Sequence, residues 1–340
     1  MLSTKLPSPY VVGIPGSVLD ADTRVVVAAL NPVGFILFKR NCENREQLEA
    51  LCKDLRTLCP LENKLIFVDQ EGGRVNRILW EPYIGPPAAD IGRIYEADAQ
   101  AGLRAAELNG YIIAAQLATY GITVDCLPVA DIAIKGADDV IGDRAFSDNP
   151  QTVAALCAAT MKGLLAGGVW PVIKHAPGHG RALADSHKEL PVVGTPCAEL
   201  EKTDFVPFKI NNMAPFVMTA HILYSDIDDK ACATDSATLV GDVLQGKLGM
   251  SGVIVSDDLN MQALEGDMPT RAHRALSAGC DIALHCSGNL DELRSLIGTA
   301  TLSKTATEKL NSLPPLGQPR PDLLLEAVAE IRSLLSDVAA

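Results

Sequence analysis

This sequence has few aromatic residues, no apolar stretch long enough to cross a bilayer and no Cys-x-x-Cys pair. Aromatic residues make up 4% and hydrophobic residues 48% of the 340 positions, so a core must be mainly aliphatic, which suits a barrel of parallel strands. The first residues lack a basic region followed by an apolar core, and we therefore expect no signal peptide. Together these features predict a cytoplasmic protein that does not bind a membrane.

The charge and the cysteine pattern exclude other classes of protein. A net charge of −13 repels polyphosphate, so nucleic acid is not an expected partner. The nine cysteines are odd in number and scattered, which argues against a disulfide framework or a zinc knuckle and fits a reducing cytosol. We expect a monomer without a metal or other cofactor.

Eight short apolar runs alternate with helical patterns along most of the chain. The predicted strands are Tyr10–Ile14, Gly34–Phe38, Lys64–Asp69, Val124–Pro128, Val169–His175, Pro215–His221, Val253–Asp257 and Asp281–His285. The predicted helices are Asn44–Leu58, Gly102–Tyr120, Gln151–Ala166, Glu199–Asn211, Leu239–Leu248, Pro269–Ala278 and Leu290–Thr299.

This alternation indicates a parallel β/α architecture. An open doubly wound sheet is the alternative, but no G-x-G-x-x-G follows the first strand. We predict an α/β fold of the (β/α)₈ TIM-barrel type, forming one catalytic domain over residues 1–340. A last amphipathic helix, residues 321–337, is expected to pack on the barrel.

Ionisable side chains end five of the apolar runs. They are Asp69, Lys174 with His175, His221, Asp257 and His285. Catalytic residues of parallel β/α folds gather at the carboxyl ends of strands, and buried charges are costly unless they are paired or used. The sequence therefore predicts an active site at this end of the barrel, although each residue taken alone has a structural explanation.

Two segments carry the strongest chemical signals. In VIVSDDLNM, successive strand residues face opposite sides, so we expect one of Asp257 and Asp258 to be functional and the other to cap a helix or bond its neighbours. The long loop after Lys174 contains Asp185 two residues before His187. A carboxylate beside an imidazole can orient it and raise its basicity, as a general acid/base requires, or the two can be a cap and a surface histidine.

The segment DQEGGRVNR combines Asp69 with Arg74 and Arg77. A carboxylate can accept hydrogen bonds from two sugar hydroxyls, and a guanidinium donates a planar fork, so the segment fits a polar clamp. An ion pair that anchors a loop is the structural alternative.

Taken together, FVDQEGGRVNR, VIGDRAF, VIKHAPGHG, DSHKELP, VMTAHI and VIVSDDLNM resemble the family 3 glycoside hydrolases, in particular the β-N-acetylhexosaminidases of bacterial cell-wall recycling. The resemblance covers roughly residues 11–290. One departure is Arg181, which follows G-H-G where many relatives have an acidic residue.

The resemblance implies a retaining exo-β-N-acetylglucosaminidase that acts on N-acetylglucosamine-anhydro-N-acetylmuramyl peptides, a small-molecule carbohydrate substrate. It implies that Asp257 is the nucleophile and that His187, supported by Asp185, is the acid/base. The sugar-binding residues that it implies are Asp69, Arg77, Arg144, Lys174 and His175.

Two other functions are compatible with a barrel of this composition. Histidines and an aspartate at strand ends could hold zinc in a metal-dependent hydrolase, although such barrels usually carry an H-x-H pair on the first strand and this one has none. A sugar-binding barrel without catalysis is the second alternative, because a fold does not prove an activity.

Overall fold

The computed structural model describes residues 6–59 and 61–339. Eight parallel strands in this part of the chain close into a barrel. They are β1 (Ser8–Val12), β2 (Pro32–Leu37), β3 (Leu65–Val68), β4 (Val124–Asp125), β5 (Trp170–Ala176), β7 (Phe216–Thr219), β9 (Val253–Asp258) and β10 (Ile282–His285). Around the barrel they follow the order β1-β10-β9-β7-β5-β4-β3-β2. A separate parallel pair is formed by β6 (Val192–Val193) and β8 (Leu223–Tyr224). The predicted TIM barrel is confirmed, and each predicted strand overlaps one barrel strand.

Helices surround the barrel. They are α1 (Ala21–Leu30), α2 (Arg45–Leu58), α3 (Ala88–Ala97), α4 (Ala99–Thr119), α5 (Pro150–Ala166), α6 (Cys197–Leu200), α7 (Val206–Ile210), α8 (Met268–Ala278), α9 (Leu290–Ser295), α10 (Lys304–Asn311) and α11 (Pro321–Ala339). Short 3₁₀ turns cover Lys39–Asn41 and Gly142–Arg144, and Thr238–Lys247 forms a π-helix.

The helix predictions were less accurate than the strand predictions. The predicted helix Glu199–Asn211 is wrong as one element: α6 and α7 occupy that region, and Pro207 stands in the first turn of α7, where its missing N–H costs nothing. Three helices, α1, α3 and α10, were not predicted. In α1 the run VVVAAL has the β-branched composition of a strand, but Asp20 caps the helix by accepting a hydrogen bond from the Thr23 N–H at 2.7 Å.

The C-terminal helix α11 packs against α3 and α4. Its Ala327 and Ile331 are buried in the apolar layer between the helices and the barrel, and Glu330 forms an ion pair with Arg104 of α4. Within the described residues, no helix combines the length and the apolar character that a bilayer crossing demands.

Helices α4 and α5 approach each other so closely that no side chain fits between their backbones at the points of contact. A Cβ atom added at Gly163 of α5 would lie 2.1 Å from the carbonyl oxygen of Glu107, and one added at Gly110 of α4 would lie 2.4 Å from that of Thr160. Both obstacles are backbone atoms, which cannot rotate away. The two glycines therefore set the spacing of the helices that precede β4 and β5.

We predict that Gly163→Ala destabilises the protein by about 1–3 kcal/mol, because the added methyl group must push two helix backbones apart. The matched control is Gly241→Ala, since a Cβ atom there meets no other atom within 4 Å. The control should be neutral or slightly stabilising. Urea unfolding midpoints measure both effects, and equal midpoints for the two variants would contradict the role assigned to the contact.

Candidate active site

A cavity of about 200 Å³ opens at the carboxyl end of the barrel. Residues from several strand ends and loops line it, among them Phe38, Asp69, Glu71, Arg77, Arg144, Lys174, His175, His179, Ser186, His187, Asp257 and Asp258. The predicted site residues Asp69, Arg77, Arg144, Lys174, His175, His187 and Asp257 thus lie around one cavity. Asp185 reaches it through His187, to which it is bonded.

One side of the cavity, the charged wall, is formed by Asp69, Glu71, Arg77, Arg144 and Lys174. Lys174, near the end of β5, is its centre. Its side chain is 2% exposed, and its Nζ lies 2.9 Å from Asp69 Oδ1 and 2.7 Å from Glu71 Oε1. Arg77 contacts the other oxygen of Asp69 at 3.1 Å. Arg144 binds both oxygens of Glu71 at 2.8 Å, which is the strong bidentate arrangement of guanidinium and carboxylate.

In the charged wall, paired opposite charges shift the pKa values more than burial does. Burial acts to raise the pKa of Glu71, but the positive charges of Lys174 and Arg144 lower it to about 2, from an ordinary value of 4.5. The pKa of Asp69 is lowered in the same way by Lys174 and Arg77. Burial alone would lower the pKa of Lys174, yet the two carboxylates raise it. All three groups are therefore charged at neutral pH.

His175 and the loop after it are held by Asp131, a fully buried carboxylate beyond β4. Asp131 Oδ2 lies 2.7 Å from His175 Nδ1, and its Oδ1 accepts the backbone N–H of His179 at 2.6 Å. This contact leaves the Nε2 side of the His175 ring on the cavity wall. A bond of this kind fixes both the orientation and the tautomer of an imidazole.

The two carboxylates that end β9 have different surroundings. Asp258 Oδ1 accepts the backbone N–H groups of Asn260 and Cys286, both at 3.0 Å, so its carboxylate bonds its neighbours as the alternation predicted. Burial raises the pKa of Asp258 above its ordinary value. Burial acts in the same direction on Asp257, but the imidazoles of His221 and His175 outweigh it and lower the pKa. The lowered pKa keeps Asp257 ionised at neutral pH.

His187 lies on the long loop between β5 and β6. Its Nδ1 is 2.8 Å from Asp185 Oδ1, so the predicted carboxylate–imidazole pair is present, and its side chain is 65% exposed. Burial acts to raise the pKa of Asp185, but hydrogen bonds from the backbone and side chain of His187, together with the nearby positive charges, lower it and keep the carboxylate ionised. The imidazole is thus held by Asp185 through Nδ1, and its other nitrogen, Nε2, faces the cavity and the solvent.

Other predicted residues have structural roles. Arg74 does not join the clamp of Asp69 and Arg77; it pairs with Asp139 and Asp143 at the neighbouring loop. His221 is buried beneath the site, with its ring between the Thr234 hydroxyl and the Asp258 carbonyl. His285 is also buried, and it bonds Glu292.

Sequence reasoning missed two residues of the site, Glu71 and Asp131. Glu71 follows Asp69 by two residues and precedes the Gly-Gly turn, so its position in a charged segment after a strand was an available signal. Asp131 is the single carboxylate in the apolar stretch VADIAI, and an ionisable group inside such a stretch was a signal of the same kind.

A carboxylate and an imidazole at the carboxyl end of a TIM barrel, beside a wall of charged hydrogen-bonding groups, define a barrel hydrolase for a polar substrate. The model of the glycosyl hydrolase family 3 N-terminal domain matches residues 11–312, and the chain belongs to this family of glycoside hydrolases.

Curated relatives and solved structures agree with this family. A Beta-hexosaminidase of Bordetella avium is 37% identical over 314 residues, which cover 91% of this chain and 89% of the relative. The structure of NagZ from Neisseria gonorrhoeae in complex with N-trifluoroacetyl-D-glucosamine is 32% identical, covers 98% of each chain and has a TM-score of 0.85. Beta-N-acetylhexosaminidase from Beutenbergia cavernae is 26% identical, with 98% and 96% of the two chains covered and a TM-score of 0.76.

We predict that Glu71→Gln destabilises the protein by about 3–5 kcal/mol at neutral pH, because it leaves Arg144 and part of the Lys174 charge buried without a partner. The folded-state pKa of Glu71 lies below its unfolded value, so its stabilisation is complete above pH 4.5 and is lost as the pH falls toward about 2. The difference in the free energy of unfolding between wild type and variant should therefore become smaller as the pH falls from 4.5 toward about 2.

Urea unfolding at pH 7, 4.5 and 3 measures this difference. The control is Glu96→Gln, which removes the same charge from an exposed position at the end of α3. A wild-type–variant difference that stays constant from pH 7 to pH 3 would show that the Glu71 carboxylate does not carry the stabilisation.

Proposed function

We propose that this protein is a retaining exo-β-N-acetylglucosaminidase that releases terminal β-linked N-acetylglucosamine. The observation that carries the proposal is the ionised Asp257 carboxylate in the same cavity as the Asp185–His187 pair. The relatives support the choice of sugar, since several are named β-hexosaminidases and one neighbour was solved with an N-acylated glucosamine.

The proposed reaction has two steps. In the first, an Asp257 oxygen attacks the anomeric carbon, the glycosidic C–O bond breaks, and His187 gives its proton to the departing oxygen. In the second, water attacks the same carbon, its proton passes to His187, and the ester bond to Asp257 breaks. Asp185 holds the imidazole in place through its Nδ1. Two displacements at one carbon retain its configuration.

The charged wall is proposed to bind the sugar. Asp69 is a charged acceptor for hydroxyl groups, and Arg77, Lys174 and His175 are donors around it. Arg144 lies behind Glu71 and completes the wall. A cavity of about 200 Å³ suits one sugar ring rather than a chain of several, which supports removal of terminal residues over internal cleavage.

The natural substrate proposed is an N-acetylglucosamine-anhydro-N-acetylmuramyl peptide from peptidoglycan. We also propose that the protein acts in the cytoplasm as a monomer. Support for the substrate comes from the motifs that resemble the β-N-acetylhexosaminidases of bacterial cell-wall recycling and from the extent of the match to NagZ from Neisseria gonorrhoeae, which covers 98% of each chain. The proposed route needs no metal, and retention of activity during prolonged chelation tests it against the metal-dependent alternative.

We predict that Asp257→Asn lowers kcat/KM on a chromogenic β-N-acetylglucosaminide on the order of 10⁴-fold or more, because the amide cannot form the glycosyl ester. The control Asp242→Asn makes the same change at an exposed position on the π-helix and should be silent. A slow fluorinated N-acetylglucosaminide should label the peptide containing Ser256–Leu259. Label found on another peptide, or full activity of the Asn variant, would refute the assignment of Asp257 as the nucleophile. If the wild type released no chromophore, the alternative of a sugar-binding barrel without catalysis would be favoured.

We predict that His187→Ala lowers kcat/KM about 10²–10⁴-fold for a substrate with a poor leaving group. A 4-nitrophenyl leaving group departs without protonation, so its kcat/KM, which reports the first step, should fall much less. Added azide should raise kcat for the variant on the nitrophenyl substrate, because azide attacks the glycosyl ester without a general base. Equal losses on the two substrates would contradict the acid role.

A further inference from the structure

His179 lies on the cavity wall but has no part in the proposed reaction. It is the second histidine of the KHAPGHG segment, it is 3% exposed, and its ring stands edge-on to His175 with the centroids 5.7 Å apart. Its backbone N–H is bound to Asp131, the carboxylate that also orients His175. The backbone of His179 is thus held by the same buried carboxylate that orients His175.

The Nε2 side of the His179 ring contacts the loop that carries His187. His179 Nε2 lies 3.0 Å from the Ser186 hydroxyl, and Ser186 is 2% exposed although its neighbour His187 is 65% exposed. Over residues 183–190, this is the one hydrogen bond that ties the loop to the rest of the described chain; the other side-chain bonds in that stretch join Asp185 to His187 and Lys188. The first half of the loop has a separate anchor, the ion pair of Arg181 with the buried Asp204 at 2.7 Å.

The protonation state of the His179 ring suits a permanent hydrogen-bond donor. Nδ1 of His179 is buried and has no hydrogen-bond partner among the described residues, so a proton there would be an unpaired buried donor. The favoured form carries its proton on Nε2 and donates it to Ser186. Burial and the neighbouring His175 lower the pKa of His179 to about 4, which keeps the ring neutral over the range in which a histidine acid/base operates.

We infer that His179 is a positioning residue: through Ser186 it holds the Asp185–His187 turn over the cavity, so that the His187 imidazole meets the departing oxygen. This inference rests on the proposed function, because it gives His187 the acid/base role. A donor in the loop after β5, held there by the buried Asp131, thereby controls the place of a catalytic group on an exposed turn, and small displacements of such a group are costly.

The test compares Ser186→Ala, His179→Phe and His179→Gln. The Ala and Phe variants remove the bond from either side, whereas Gln retains an N–H donor near the Nε2 position. We expect kcat/KM for methyl β-N-acetylglucosaminide, a poor leaving group, to fall about 10- to 100-fold in the Ala and Phe variants. The nitrophenyl substrate and the binding of free N-acetylglucosamine should stay nearly unchanged, and the Gln variant should recover much of the loss.

Two further measurements separate positioning from general damage. The double variant His179→Phe/Ser186→Ala should be no slower than the slower single variant, because both changes remove one contact. Ser277→Ala, an exposed serine on α8, is the silent control. If His179→Phe does not fold, Ser186→Ala still tests the contact from the other side.

His187→Ala is measured in parallel so that the possible failures are distinguishable. Equal losses on the two leaving groups in Ser186→Ala, or no loss at all, while His187→Ala remains selective for the poor leaving group, would overturn the positioning role alone. If His187→Ala itself shows no selectivity, the acid assignment fails and the role of His179 falls with it.

Discussion

The site depends on one buried ammonium group. Lys174 is almost inaccessible to water at the end of β5, and an uncompensated charge there would cost several kcal/mol. Asp69 and Glu71 neutralise it from the loop after β3, Arg77 joins the network from the same loop, and Arg144 extends it to the loop after β4. Since every charged group of this network is paired with an opposite charge, each side chain holds its partners in position. The cavity wall is therefore rigid before a ligand arrives, which reduces the cost of ordering groups on binding.

The proposed catalytic groups are supported in different ways. Asp257 ends a barrel strand and is set by the register of β9 with β7 and β10. His187 lies on a loop without regular structure, and its place depends on side-chain contacts to Asp185 and, through Ser186, to His179. A nucleophile that must reach one carbon benefits from a rigid strand, whereas a proton donor must accommodate different leaving groups. The division of the two roles between strand and loop fits these separate demands.

The sequence predicted the barrel because its strands are short, apolar and ended by ionisable residues, a pattern that survives without tertiary information. The pairing of Asp185 with His187, which the residues alone left open, was implied by the family resemblance, and the structure shows the hydrogen bond. The helix α1 was missed because its Val-rich face suggests a strand, and tertiary packing overrides that preference. Glu71 and Asp131 were missed because their partners, Lys174 and His175, lie far away in the sequence and meet them only when the barrel closes.

The glycine contact between α4 and α5 has a consequence inside the barrel. These helices lead directly into β4 and β5, which pair at Val124 with Trp170 and carry at their far ends the chain segments bearing Asp131 and His175. The close contact of the two helices at Gly110 and Gly163 thus bears on how the strands that lead to Asp131 and His175 are placed. Gly110 and Gly163, buried in the outer layer of helices, are in this way part of what shapes the cavity at the far end of the barrel.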